Sequence, residues 1–174
     1  GWGGGELRVG GTERVGIAGG QVGCGDRRGG VCGIGVVRAE GSKLVGGFER
    51  RHVWLDPDTG PASSFAEGKR IFEMGRSSWE NYDTALLSEG GMIVPRGSKE
   101  VELTPQVRTA LGLADDQAGT MDGETLIRAV LKAPVELLWN GGIGTYVKAS
   151  SDTHLDAGDP SNDAVRVNVT DLRC

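Results

Sequence analysis

The chain has 174 residues, 25% of them charged and 5% aromatic, with 31 glycines and a formal net charge of −5. That length suits one domain of ordinary size. The glycines follow no G-x-y period, which excludes collagen, and no apolar run reaches the roughly 18 residues that span a bilayer.

The charge is split along the chain. Residues 1–54 carry eight Lys/Arg against five Asp/Glu, and residues 55–174 carry eleven against nineteen. Neither part holds the dense basic stripe that a nucleic-acid surface needs, so neither nucleic acid nor a membrane is expected as a partner. Three cysteines (Cys24, Cys32, Cys174) and two histidines (His52, His154) lack metal-ligand spacing. They read as reduced thiols of a cytoplasmic protein with no metal site. No apolar signal core opens the chain.

Residues 1–21 have almost no apolar periodicity and cannot offset their own ordering entropy. They read as a disordered or aberrant glycine-rich segment. An RNA-binding tail is disfavoured by its two arginines and single tryptophan. From Val22 a short apolar stub runs into a glycine-rich turn, with a helix expected over 31–39. Lys43-Leu-Val-Gly-Gly-Phe-Glu49 reads as a strand ending at an acid, and Val53-Trp54-Leu55 as a second apolar stub closed by Asp56-Pro57.

Ser63 and Ser64 are expected to cap a helix whose inner face holds Phe65, Ile71 and Phe72, ending at Gly75. Residues 77–80 start a short turn, and Gly90, Gly91 and Pro95 mark an irregular stretch. Thr104-Pro105 is a helix start of cap plus proline, with Val107, Ala110 and Leu111 inward and Gly112 as its stop. Asp122 caps a second helix bearing Leu126, Ile127, Val130 and Leu131 at helical spacing. Pro134 breaks it, residues 135–139 form a strand, and residues 140–144 turn. The alternation is α/β, with a parallel sheet.

Two patterns point to chemistry. Gly23-x-Gly25-(x)3-Gly29 follows an apolar stub, and Glu49 lies 24 residues after Gly25. A helix N-terminus reached through glycines binds pyrophosphate, and an acid at the next strand's end accepts ribose hydroxyls. In so glycine-rich a stretch, chance is the competing explanation. The second pattern places Asn140 at a strand's carboxyl end, where open α/β sheets bind ligands; Asn-Gly is equally a plain turn dipeptide. The carboxylates of Asp152, Asp156, Asp159 and Asp163 lack calcium-loop spacing and read as solvated loop and helix-start acids. Asn168-Val-Thr170 matches a glycosylation triplet, which has no consequence without a secretory signal, and no G-x-S-x-G elbow for serine catalysis is present.

Longer strings carry a resemblance. Phe48-Glu-Arg-Arg-His-Val-Trp-Leu-Asp-Pro57, Ser77-Ser-Trp-Glu-Asn-Tyr-Asp83, Leu87-Ser-Glu-Gly-Gly91 and Ile127-Arg-Ala-Val-Leu-Lys-Ala-Pro-Val135 are four of them. Leu137-Leu-Trp-Asn-Gly-Gly-Ile-Gly-Thr-Tyr-Val-Lys-Ala-Ser150 and Gly158-Asp-Pro-Ser-Asn-Asp-Ala-Val-Arg166 complete the set. Over residues 22–174 the chain resembles the NAD-specific glutamate dehydrogenases of the large bacterial type. The resemblance implies a partial, Rossmann-like cofactor domain over 22–174, with NAD as cofactor and L-glutamate/2-oxoglutarate as the substrate pair of a homo-oligomeric whole enzyme. It assigns cofactor binding to Gly23, Gly25, Asp26, Gly29, Gly33, Glu49 and Asn140.

Departures accompany it. Gly30, Cys32 and Ile34 stand where the family pattern has an acid, an aromatic and an asparagine, and Arg27 and Arg28 replace smaller or apolar residues. Residues 1–21 do not match the preceding strand. The family's catalytic lysine and carboxylate are expected upstream in a separate substrate domain, and a further glycine-rich cleft segment after Arg173. No catalytic residue is therefore assigned here. A standalone nucleotide-binding or regulatory module and a non-functional fragment are the rival readings.

Overall fold

The computed structural model describes residues 41–74, 77–114, 119–140 and 144–174, together with the backbone of 20–24. The residues of the expected glycine turn beyond β1 (Gly25, Asp26, Gly29, Gly33), the helix expected over 31–39 and the segment 1–19 lie outside the described residues.

Five strands form the main sheet: β1 (Gly20–Cys24), β2 (Lys43–Phe48), β3 (His52–Leu55), β4 (Met92–Pro95) and β7 (Leu137–Asn140), in the order β4-β3-β2-β1-β7. β1 runs parallel to both β2 and β7. β2, β3 and β4 form an antiparallel meander. The expected parallel sheet is thus corrected to a mixed one. The cause is the connection length: three residues separate Phe48 from His52, and a parallel crossover needs a dozen or more. β1 also starts at Gly20, two residues before the boundary expected at 22.

Two-residue ladders complete the structure: β5 (Val101–Glu102) with β6 (Thr120–Met121), antiparallel, and β8 (Val147–Lys148) with β9 (Val167–Asn168), parallel. Such short pairings leave no period to read in the sequence.

Helices cover both faces of the sheet. On one face α1 (Pro61–Glu73) supplies Ile71 to a core of Leu44, Trp54, Trp79 and Tyr82. On the other, α2 (Pro105–Ala110) and α3 (Gly123–Leu131) supply Val107, Leu126, Ile127, Val130 and Leu131 to a core with Val45, Phe48, Val53 and Leu55. β3 alternates as a half-buried strand should, with Val53 and Leu55 on one face and Trp54 on the other. β2 needs a register shift against Gln21/Val22 to place Val45 and Phe48 on one face; a bulge resets strand parity in this way. Gly47 lies opposite Trp54 in the ladder, leaving room for its indole, which stacks on Trp79 at 5.2 Å.

Helix starts follow local chemistry. Thr104 and Asp122 accept from the Val107 and Thr125 amides, as their positions predict. α1 starts earlier than expected, at Pro61, because proline presets the first helical φ. Its inward face is also rotated: Ser64, Glu67, Gly68 and Ile71 are buried, while Phe72 is exposed. Glu67 tolerates burial because Arg70 binds it through two nitrogens and the Asp83 amide donates to it. Those bonds, the Arg70 guanidinium first, hold the Glu67 carboxyl below its ordinary range. Burial pushes the neighbouring Tyr82 phenol up to about 12. The stretch over 90–95 is not irregular throughout; it contains β4, an edge strand ending at Pro95, where proline costs no ladder bond. Arg173 donates to the carbonyls of Leu111, Gly112 and Lys132, closing the exposed ends of α2 and α3.

Gly123 opens α3 directly against the β4–β5 loop; a Cβ there would lie 2.0 Å from the Arg96 carbonyl oxygen. Helix propensity alone favours alanine by up to about 1 kcal/mol, and overpacking against backbone opposes it by about 1–3 kcal/mol. Gly123→Ala is therefore expected to lower the urea midpoint, and a raised midpoint would show that this contact does not govern the site.

Candidate functional site

The parallel strands end together. Cys24 pairs with both Phe48 and Asn140, so the carboxyl ends of β2, β1 and β7 form one edge. Chain order reverses at β1: β2, the next strand in sequence, lies on one side and β7 on the other. Such a switch point opens a crevice above the strand ends, where open α/β sheets place their ligands.

Gly23 lies within β1, level with Gly47 and Trp139, rather than in the turn. Asn140 ends β7, exposed, with its Nδ2 donating to the Gly144 carbonyl at 3.5 Å. Glu49 follows β2 directly and is buried, not solvated. Its carboxylate accepts from the Arg51 amide at 2.9 Å and the His52 amide at 3.0 Å, and lies 3.2 Å from His52 Nδ1. It closes the β2–β3 turn. Three of the about four lone-pair sites of a carboxylate are thereby engaged.

Beside Glu49, at the ends of β2 and β4, a cleft of about 560 Å3 is lined by Arg50, Arg51, Arg96 and Lys99 against Asp122 and Glu124. The excess of cations favours anions approaching this edge.

On the β7 side the loop from Gly144 is held by a polar cluster around the buried Arg166 and Asn162. The Thr145 amide donates to Asp159 Oδ2 at 2.9 Å, and the Thr145 carbonyl accepts from Arg166 Nε at 2.7 Å. The Arg166 side chain is fully buried. It also donates to the Asp159 carbonyl, to Asp163 Oδ1 and to His154 Nδ1. Asn162 links the cluster to β4, donating to Asp159 Oδ2 and accepting from Arg96 Nη2. Hydrogen bonds from Asn162, the Thr145 amide and Ser161 pull the Asp159 carboxyl down to about 2. Among the described residues no group of His, Cys, Asp and Glu is placed to hold a metal ion, and no helix is long and apolar enough to cross a membrane.

The family model for the catalytic domain of bacterial NAD-glutamate dehydrogenase matches residues 15–174. The chain belongs to that family. Relatives named NAD-specific glutamate dehydrogenase include those of Halomonas elongata, 46% identical over 88% of this chain, and Mycobacterium tuberculosis, 48% identical over 87%. That of Pseudomonas aeruginosa is 46% identical over 87%. The chain spans about a tenth of the length of these relatives.

Within this catalytic-domain segment, the structure gathers Glu49, Asn140 and the end of β1 at one edge. Arg96, Asp159, Asn162 and Arg166 join them without having been expected from sequence. Asp159 precedes the 3-10 turn Pro160–Asn162 and Asp163 is 41% exposed, both also reaching Arg166, and Asp156 starts a helix, α4 (His154–Ala157), in a capping box with Thr153. The signal available was spacing: Asp159, Asn162, Asp163 and Arg166 recur at three- and four-residue intervals.

The low value at Asp159 sets a pH window. A carboxyl depressed in the folded state contributes stability above its unfolded range and loses it as pH falls through the folded value. Stability from this cluster should persist to about pH 4 and vanish by about pH 2. Asp159→Asn should remove that part of the acid response, read as denaturation midpoints across the window. An unchanged acid profile would mean that Asp159 is not held by these donors.

Proposed function

We propose that residues 22–174, with β1 reaching back to Gly20, are the NAD-binding part of a glutamate dehydrogenase, built on a Rossmann-like half-sheet. The whole enzyme would oxidise L-glutamate to 2-oxoglutarate and ammonia, in the cytoplasm and as a homo-oligomer. The observation that carries the reading is the switch point at β1, with an exposed carboxamide at the end of β7 and a carboxylate at the end of β2. A dinucleotide needs polar partners on both sides of such a crevice.

The donor set fits that cofactor. In this reading the Glu49 carboxylate accepts from a ribose hydroxyl, and the Asn140 carboxamide, exposed at the end of β7, carries both donor and acceptor atoms. Gly23, Gly25, Asp26, Gly29 and Gly33 are proposed to bring backbone close to the pyrophosphate. NAD supplies the hydride acceptor when bound. The chain's own residues bind and orient. The groups that would hold glutamate and manage its protons are proposed to lie outside these 174 residues.

Calorimetric titration of the 174-residue chain should show NAD binding and no NADH formation from glutamate. Glu49→Ala should weaken NAD more than NADP, because a carboxylate at the ribose opposes a 2′-phosphate. It should also lower thermal stability, since two turn amides lose their acceptor. Equal loss for both cofactors would remove Glu49 from the ribose. Turnover by this chain that Asn140→Ala abolishes would overturn the division of labour.

A further inference from the structure

The Arg166 guanidinium presents a puzzle of cost. Its side chain is fully buried, and a buried ion pair contributes little net stability compared with apolar residues of similar volume. What the arginine does supply is direction. Its planar fork donates at once to Thr145, Asp159, Asp163 and His154, and lysine has no such fixed geometry. Thr145 is held at both backbone groups, its amide by Asp159 and its carbonyl by Arg166. The preceding residue, Gly144, carries the carbonyl that receives the Asn140 side chain. The following residue, Tyr146, packs edge-on to Phe48 at 5.1 Å, at the end of β2, and its carbonyl accepts from the Val167 amide at 3.0 Å. A Cβ at residue 144 would lie 2.5 Å from the Tyr146 ring, so a larger residue there would displace that ring. One short segment thus spans the crevice from the β7 end to the β2 end, tied down by residues 159–167.

We propose that Arg166, with Asp159, is a positioning residue for dinucleotide binding: the pair clamps Thr145 and so holds the neighbouring Gly144 carbonyl, which receives the Asn140 side chain. This rests on the reading of the edge as a dinucleotide site. Arg166 touches no ligand in this scheme and acts through Asn140.

The test is a double-mutant cycle on the 174-residue chain, with NAD affinity measured by calorimetry and Thr145 amide exchange measured without ligand. Arg166→Met and Asn140→Ala should each weaken NAD by about tenfold, and the double variant should lose little more than either alone. Arg166→Lys should restore little, because charge without the fork cannot hold Thr145. Arg166→Met should also speed Thr145 exchange. Asp159→Asn replaces Arg166→Met in the cycle if the latter does not fold. Losses that simply add, or a full rescue by lysine, would overturn the clamp while leaving the NAD reading in place. A wild-type chain that binds no NAD would overturn that reading, and the clamp's role with it, whatever Thr145 exchange shows.

Discussion

β1 is the constraint on which the rest of the edge depends. Among the described strands, β7 pairs with β1 alone, and the meander β2-β3-β4 joins β7 only through β1. One row of parallel hydrogen bonds on each side of residues 20–24 therefore sets where Asn140 stands relative to Glu49. The ladder places Cys24 level with Asn140 on one flank and with Phe48 on the other. Neighbouring strands lie about 4.8 Å apart, so the two strand-end groups stand roughly two strand spacings from one another. Gly23 sits between Gly47 and Trp139 in this row, a place where bare backbone leaves space for close approach.

The two apolar layers hold that row in place by different means. One is aliphatic and built by α2 and α3, with Leu126, Ile127 and Val130 fully buried against Val53 and Leu55. The other is aromatic and smaller, with Trp54 between Trp79 and Tyr82. Each fully buried large side chain contributes about 1.5–3 kcal/mol of transfer free energy, so the aliphatic layer dominates the burial. The glycine doublet of β2 serves both layers, since Gly46 faces Leu55 and Gly47 faces Trp54.

Charge is used differently at the two ends of the crevice. At β2, Glu49 is buried by its own turn and its carboxylate serves local backbone first. At β7, polar side chains join segments far apart in sequence: Arg96 reaches Asn162, and Asp159 and the buried Arg166 reach Thr145. The first arrangement stabilises a hairpin and the second aligns a loop. Glu49 is thereby buried, while Asn140 is exposed.

Much of the local structure was legible in the residues. Lys43–Phe48 as a strand, Thr104 and Asp122 as caps, and the inward face of α3 all follow from period and capping chemistry that involve near neighbours only. The placement of Glu49 and Asn140 at strand ends was legible for the same reason. The antiparallel meander was readable too, since three residues cannot cross over, yet the α/β alternation outweighed that signal. The rotation of α1 was not readable, because Glu67 is buried only by virtue of Arg70 and the distant Asp83 amide. Nor was the parity of β2, which a register shift against β1 decides. The Asp159–Arg166 cluster belongs to the same class. Sequence determined which residues carry charge and which turns they occupy. Only the tertiary structure decided that Arg166 is buried and that its fork meets Thr145, because burial and direction arise from contacts between segments that the chain order keeps apart.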